Sequence, residues 1–327
     1  MNPKNPSYTF DSKNGNNKGK QTGTISNTNL SDIVNKYLTD KKLQGLSDRT
    51  LDQYKEVLGW FTNYLGVTQI GEISEGNVKQ YMSEMMDDGI QITTVAIRFR
   101  VLRAFFNWVE GNGYVEQAPT KGIKEPKTPN KFPYVLKEKE VDQLLQTAKS
   151  RLSTWTGIRN YTIVLVLLDA GLRLNEMVNA KLSNLDEGHN SLKVQGKGAK
   201  DRKVFFGQKT SQHIEKWLTI RDDISAFISD GTIFVDLNGN AVKPRNLDRI
   251  INRMQSRAGL DDIKLTPHVL RHTAATMAVS NGLDAFSLQR LFGWEELDTA
   301  MRYVHMSGKR LEEATKDTSP VDSLGGE

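Results

Sequence analysis

Four short stretches concentrate residues able to act on a charged substrate: "AGLRLNEMV", "GKGAKDRK", "TPHVLRH" and "LFGWEELDTAMRYVH". In the third, His268, Arg271 and His272 stand three and four apart and share one helix face. That face lies at a helix N-terminus, where free N–H groups and the dipole favour an anion. The trio reads equally as a phosphate site or as structural packing. In the first stretch Gly171 suits a helix C-cap, and Arg173 opens the next helix with Glu176 three residues on. Alone, that pair reads as a solvated ion pair of small value. Lys197 stands between two glycines at a hairpin tip, either as soluble punctuation or as a residue that reaches into a groove or active site. Tyr303, near the end of a short helical stretch, is a surface aromatic or a group whose hydroxyl does chemistry.

Composition narrows that chemistry. The chain of 327 residues contains no cysteine, which removes disulfides, thiolate nucleophiles and cysteine-ligated zinc. The five histidines are His189, His213, His268, His272 and His305. None is spaced to join another with carboxylates as a metal site, so a metal-independent reaction without cofactor is expected. The longest apolar run, "YTIVLVLLDAGL", is too short to span a bilayer and predicts a buried helix. The N-terminus lacks the apolar core of a secretory signal, so a cytoplasmic protein is expected. A net charge of +5 is a weak pointer to nucleic acid. Its placement says more, since residues 1–29 carry four Lys against one Asp, and 118–135 four Lys against one Glu.

The elements that must position these residues fall into a predicted order. Residues 1–29 are polar and predicted to be a disordered tail. Residues 30–117 are predicted all-helical, beginning near Leu30 with Ser31 or Asp32 as cap. Within them Ile92, Val95, Phe99, Leu102, Phe106 and Val109 recur at steps of three and four. On that helix Arg100 points away from the apolar stripe, and Arg98 and Arg103 flank it. A solvated basic face and phosphate contact both fit. Prolines and lysines across 118–135, among them Lys121 and Lys124, mark a basic linker. A second domain spans 136–317, followed by a tail at 318–327. In it "NSLKVQGKGAKDRKVFFG" predicts a β-hairpin. A helix is predicted at "TPHVLRHTAATMAVSNG", with Thr266 as N-cap, Pro267 in the first turn and Gly282 past the end. The fold class is therefore mainly α with a small β-sheet.

Taken together, in this order and at these spacings, the four motifs resemble those of the tyrosine recombinase family, the phage integrase and Xer-like enzymes. The resemblance covers residues from about 136 to 310, and more loosely the helical region before it. It implies a helical core-type DNA-binding domain and a catalytic domain closing around double-stranded DNA as a C-shaped clamp. It implies a site-specific recombinase that cuts and rejoins strands through a 3′-phosphotyrosyl intermediate and a Holliday junction. Two DNA sites would be held by a homotetramer, serving a mobile element or dimer resolution. Accessory proteins cannot be read from the chain.

In this resemblance Arg173 and Arg271 clamp the phosphate's non-bridging oxygens through a fork that lysine lacks. Tyr303 is the nucleophile, His268 the assisting base, and Lys197 the general acid to the departing 5′ oxygen. Where the family usually carries "LGH" this chain has "FGW". Trp294 brings an N–H donor but no proton shuttle, so its expected roles are phosphate hydrogen bonding and packing on the nucleophile's helix. Glu176 and His272 are expected to orient Arg173 and the active-site helix, and His305 either does the same or sits on the surface. Arg98, Arg100, Arg103, Lys121 and Lys124 are the expected DNA contacts. Segment "SGKRLEEATKD" is a candidate for exchange between subunits through Leu311 and Ala314. Rival readings are a type IB topoisomerase, a non-catalytic DNA-binding protein and a helical scaffold.

Overall fold

The computed structural model describes residues 28–66, 69–129, 132–196, 201–225 and 231–306. The tail at 1–27, the Lys197 hairpin tip and the segment carrying Leu311 and Ala314 lie outside them. The chain divides between residues 131 and 132 into two compact units.

The first unit is helical: α1 (Leu30–Leu43), α2 (Asp48–Leu65), α3 (Glu75–Asp87) and α4 (Ile92–Gly111). Each of the first three starts at a side chain that accepts an orphan backbone N–H, namely Asn29, Ser47 and Ser74. The α1 cap is thus Asn29, two or three residues before the expected Ser31 or Asp32. Thr28 and Asn29 also pair with 69–70, through a bridge between Asn29 and Gln69 and a bond from the Ile70 N–H to the Thr28 carbonyl. Order therefore starts before Leu30. On α4 the predicted stripe is buried from Val95 through Phe99, Leu102, Phe106 and Val109. Around it pack Ile33, Tyr37, Leu58 and Phe61. The segment expected as a basic linker from 118 begins as part of this unit. Ala118, Thr120 and Ile123 are buried, and Arg103 Nη2 donates to the Ile123 carbonyl at 2.9 Å. Apolar residues interleaved among the prolines and lysines give that stretch something to bury.

The second unit is built around α6 (Trp155–Ala170), buried on nearly every side as its sequence predicts. Helices α5 (Glu138–Lys149), α8 (Gln208–Ser225) and α10 (Pro267–Ser280) pack against it. Helix α9 (Pro244–Arg257) lies on α5 and α7 (Leu174–Val178). Strands β1 (Ser191–Gln195) and β2 (Asp201–Phe205) pair antiparallel, with Val194 opposite Arg202. A separate apolar cluster, including Ala274, Leu288, Phe292, Ala300 and Tyr303, ties α11 (Ala285–Phe292) and α12 (Leu297–Met306) to α10. The stretch holding Tyr303 is thus two helices with a corner at Gly293, whose φ of +61° suits glycine. Among the described residues no helix is long and apolar enough to cross a membrane.

Candidate active site

The site is assembled at the end of α6. Gly171 closes that helix in the left-handed region at φ +55°. A Cβ there would stand 2.2 Å from Phe292 Cε1, so only glycine lets α11 approach. The turn delivers Arg173 to the N-cap of α7, where Glu176 accepts from the Arg173 backbone N–H at 2.8 Å and from its Nη1 at 2.9 Å. Arg173 Nη2 donates to the Gly293 carbonyl at 2.6 Å. The pair is not a fully solvated one: the Glu176 side chain is 5% exposed and that of Arg173 33%.

A second arginine completes the arrangement. Arg202 on β2 donates Nη1 and Nη2 to the two Glu176 oxygens at 2.6 and 2.8 Å, and Nε to the Leu291 carbonyl at 2.9 Å. Burial alone would raise the Glu176 carboxyl. Hydrogen bonds from Arg202 and Arg173 outweigh it and hold the group at about 2. Sequence reasoning passed over Arg202, although its alternation with buried Val204 along β2 was a usable signal.

Arg271 lies 4% exposed on α10, its guanidinium donating to the Gly171 and Phe292 carbonyls. It also rests over the rings of Phe292 and Trp294, 5.0 and 5.5 Å from their centroids. Burial first, and repulsion from Arg173 second, pull it below its ordinary value, yet it remains a cation at neutral pH.

Tyr303, 4% exposed, is not a surface aromatic. Its ring stacks on Trp294 at 5.1 Å with an interplanar angle of 4°, and Trp294 stacks on Phe292 in turn. Its hydroxyl meets Nδ1 of His272. Burial raises the phenol, while Arg271 and Arg302 oppose that rise. Burial, with the neighbouring His268 and Arg271 charges, lowers His272 to about 4, so the imidazole is neutral at pH 7. A neutral ring carrying its proton on Nε2 accepts the phenolic O–H at Nδ1.

The expected set therefore separates. Arg173, Arg271, Trp294, Tyr303, Glu176 and His272 come together. His268 sits one turn before His272 on the same helix, but exposed, and the hydrogen bond to the phenol is made by His272. His305 is exposed near the end of α12. Lys197 lies outside the described residues. In the first unit, Arg100 Nε bonds Glu125 at 2.7 Å and Arg103 Nη1 stands 3.5 Å from the same carboxylate. Arg98 covers the Trp60 ring at 4.1 Å and Lys121 pairs with Glu110 at 3.1 Å, while Lys124 is exposed. Among the described residues no group of three or more His, Asp and Glu is placed to hold a metal ion.

One buried and one half-buried guanidinium group, a neutral imidazole and a phenol thus converge from α7, α10 and α12. That arrangement can neutralise a tetrahedral or pentavalent oxyanion while a hydroxyl attacks its central atom. Residues 134–310 match the phage integrase family, and residues 33–116 match the phage integrase N-terminal SAM-like domain. The chain is 30% identical over 254 residues to the tyrosine recombinase XerC of Corynebacterium glutamicum, covering 78% of this chain and 81% of that protein. Its fold is similar to that of the XerH site-specific recombinase bound to palindromic difH substrate in a post-cleavage complex. There the TM-score is 0.72 at 23% identity, covering 88% of this chain and 84% of that one. It is also similar to a lambda integrase tetramer bound to a Holliday junction, with TM-score 0.69 at 16% identity over 86% of this chain and 79% of that one.

Proposed function

The chain belongs to the phage integrase family, and from that membership we propose that it is a site-specific DNA recombinase with Tyr303 as its nucleophile. The observation that carries this reading is the meeting of Tyr303, His272, Arg271 and Arg173 at one place, from segments 30 to 130 residues apart in sequence.

In the reaction proposed, the Tyr303 oxygen attacks the scissile phosphorus, forming a 3′-phosphotyrosyl bond, and the 5′ oxygen departs. The phenolic proton goes first to His272 Nδ1, the acceptor already at the hydroxyl. His268, one turn away and exposed, is free to contact the phosphate or relay that proton. Arg173 and Arg271 turn from the Gly293, Gly171 and Phe292 carbonyls to the non-bridging oxygens, where charge grows in the transition state. Lys197 protonates the departing oxygen. Trp294 holds the phenol ring by stacking. The phosphotyrosyl bond conserves the energy of the broken phosphodiester, so rejoining to a second 5′ hydroxyl requires no nucleotide.

Arg98, Arg100, Arg103, Lys121 and Lys124 are proposed to meet backbone phosphates, with Glu125 and Glu110 releasing their arginine and lysine partners on binding. The tetramer on a junction described for lambda integrase is the assembly proposed for strand exchange here. Relatives that are recombinases and integrases favour this over the supercoil relaxation of a type IB topoisomerase.

The test is covalent trapping. Mixed with fragmented DNA from its source and quenched in denaturant, the protein is expected to carry linked DNA that is absent with Tyr303→Phe. An adduct that persists in that variant overturns the assignment.

A further inference from the structure

Helix α9 carries Arg245, Arg249, Arg253 and Arg257, one at every fourth position. At about 1.5 Å of rise per residue they form a stripe with a charge every 6 Å or so along one face. Here Arg151, Arg249, Arg253 and Arg257 make no ion pair among the described residues.

The stripe forms one wall of a furrow against the start of α6. Toward the α9 C-terminus lies a cavity of about 240 Å³ lined by Arg151, Arg159, Arg253 and Arg257, with no carboxylate among its lining residues. It continues past Arg249 into a second cavity of about 360 Å³, which shares Thr156, Arg159 and Arg253. Asp236 sits in that second part, its Oδ1 occupied by the backbone N–H groups of Asn238 and Asn240.

Arg159 is the floor. It is 8% exposed, with Nε donating to Asn160 at 3.0 Å and Nη1 to the Val235 carbonyl at 2.9 Å. Nη2 makes no hydrogen bond among the described residues. Beside it, Thr156 and Gly157 bring the first turn of α6, where the dipole is positive. A buried cation, three exposed ones and a helix start face the first cavity, which no carboxylate lines, and Asp236 in the second is the one carboxylate along the furrow. From Arg159 to Gly171 is 12 residues of α6, roughly 18 Å, so the furrow is separate from the candidate active site.

We propose that this furrow binds a phosphate-bearing anion, held by Arg159 at its floor and by Arg151, Arg253 and Arg257 along its walls. The planar forks suit phosphoryl oxygens bidentately. Several arginines around one concavity suit an anion with more than one phosphoryl group, either free in solution or consecutive along a nucleic-acid backbone. The assignment stands independently of the role given to Tyr303.

The experiment titrates inorganic pyrophosphate into the full chain by calorimetry, with Arg253→Gln and Arg257→Gln beside the native protein. In parallel, the salt dependence of binding to a random-sequence duplex is measured for all three. A free phosphate ligand gives saturable pyrophosphate binding that falls at least tenfold in each variant, with equal duplex salt slopes. Backbone phosphates as the source give a shallower slope in each variant, by about one counterion per arginine removed. Unchanged slopes, together with pyrophosphate binding that is absent or indifferent to both substitutions, overturn the proposal. Covalent trapping at Tyr303 is expected to survive Arg253→Gln, so failure here and failure of the recombinase reading are told apart.

Discussion

Arg202 reaches from the second strand of the hairpin to close a two-point ion pair on Glu176, 26 residues earlier, at 2.6 and 2.8 Å. Both partners are nearly buried, and the same carboxylate also holds Arg173. Two positive charges therefore share one negative charge, and the candidate phosphate clamp is fixed through a residue that would never touch phosphate.

Replacing Arg202 with Gln is expected to destabilise the protein by about 3 kcal/mol, because a buried carboxylate loses its better partner. Chemical denaturation measures this. The double variant Arg202→Gln, Glu176→Gln is expected to lose less than the sum of the two single losses. Additive losses would show that the pair is not energetically coupled.

Acid sensitivity follows from Glu176. Its carboxyl titrates at about 2 in the folded chain against an ordinary 4.5. Its contribution, on the order of 3 kcal/mol, is complete above about pH 5 and is lost as pH falls toward 2. In Glu176→Gln the unfolding free energy at pH 7 should drop, and its decline through that acid window should flatten. A parallel decline in both proteins would contradict the pairing.

His272 predicts a separate slope at higher pH. The unfolded imidazole takes its proton near 6.5 and the folded one only near 4. Stability should therefore fall as pH drops from 6.5 to 4, and His272→Gln should remove that part of the profile. An NMR titration placing the His272 midpoint at or above 6.5 would refute this.

Gly171 and Gly66 separate backbone strain from steric conflict. Both end helices in the left-handed region, but only at Gly171 does an added Cβ meet a neighbour, the Phe292 ring at 2.2 Å. Gly66→Ala should cost about 1 kcal/mol, and Gly171→Ala at least about twice that. Thermal unfolding of the two variants checks the order. The Gly171 variant should also weaken covalent trapping, since the last residue of α11 and its cap supply the Phe292 and Gly293 carbonyls that hold Arg271 and Arg173.

The amino-acid sequence by itself determined the elements and named most residues of the candidate site. The steps of three and four on α4, the apolar run of α6, the hairpin flanks and Gly171 each act through neighbours a few residues away, so spacing alone reveals them. The buried Ala118 and Ile123 were harder to read, because two apolar residues among prolines and lysines set no period. Pairings across the chain were decided only by the tertiary structure. Arg202 was legible as a charged strand residue but not as the partner of Glu176. Of two histidines one turn apart on α10 the resemblance assigned His268 to the phenol, whereas the packing of α12 on α10 brings the Tyr303 hydroxyl to His272. Arg271 engages carbonyls 100 residues before it and 21 after it. Such contacts depend on how α6, α10 and α11 close on one another, and no local periodicity encodes that closure.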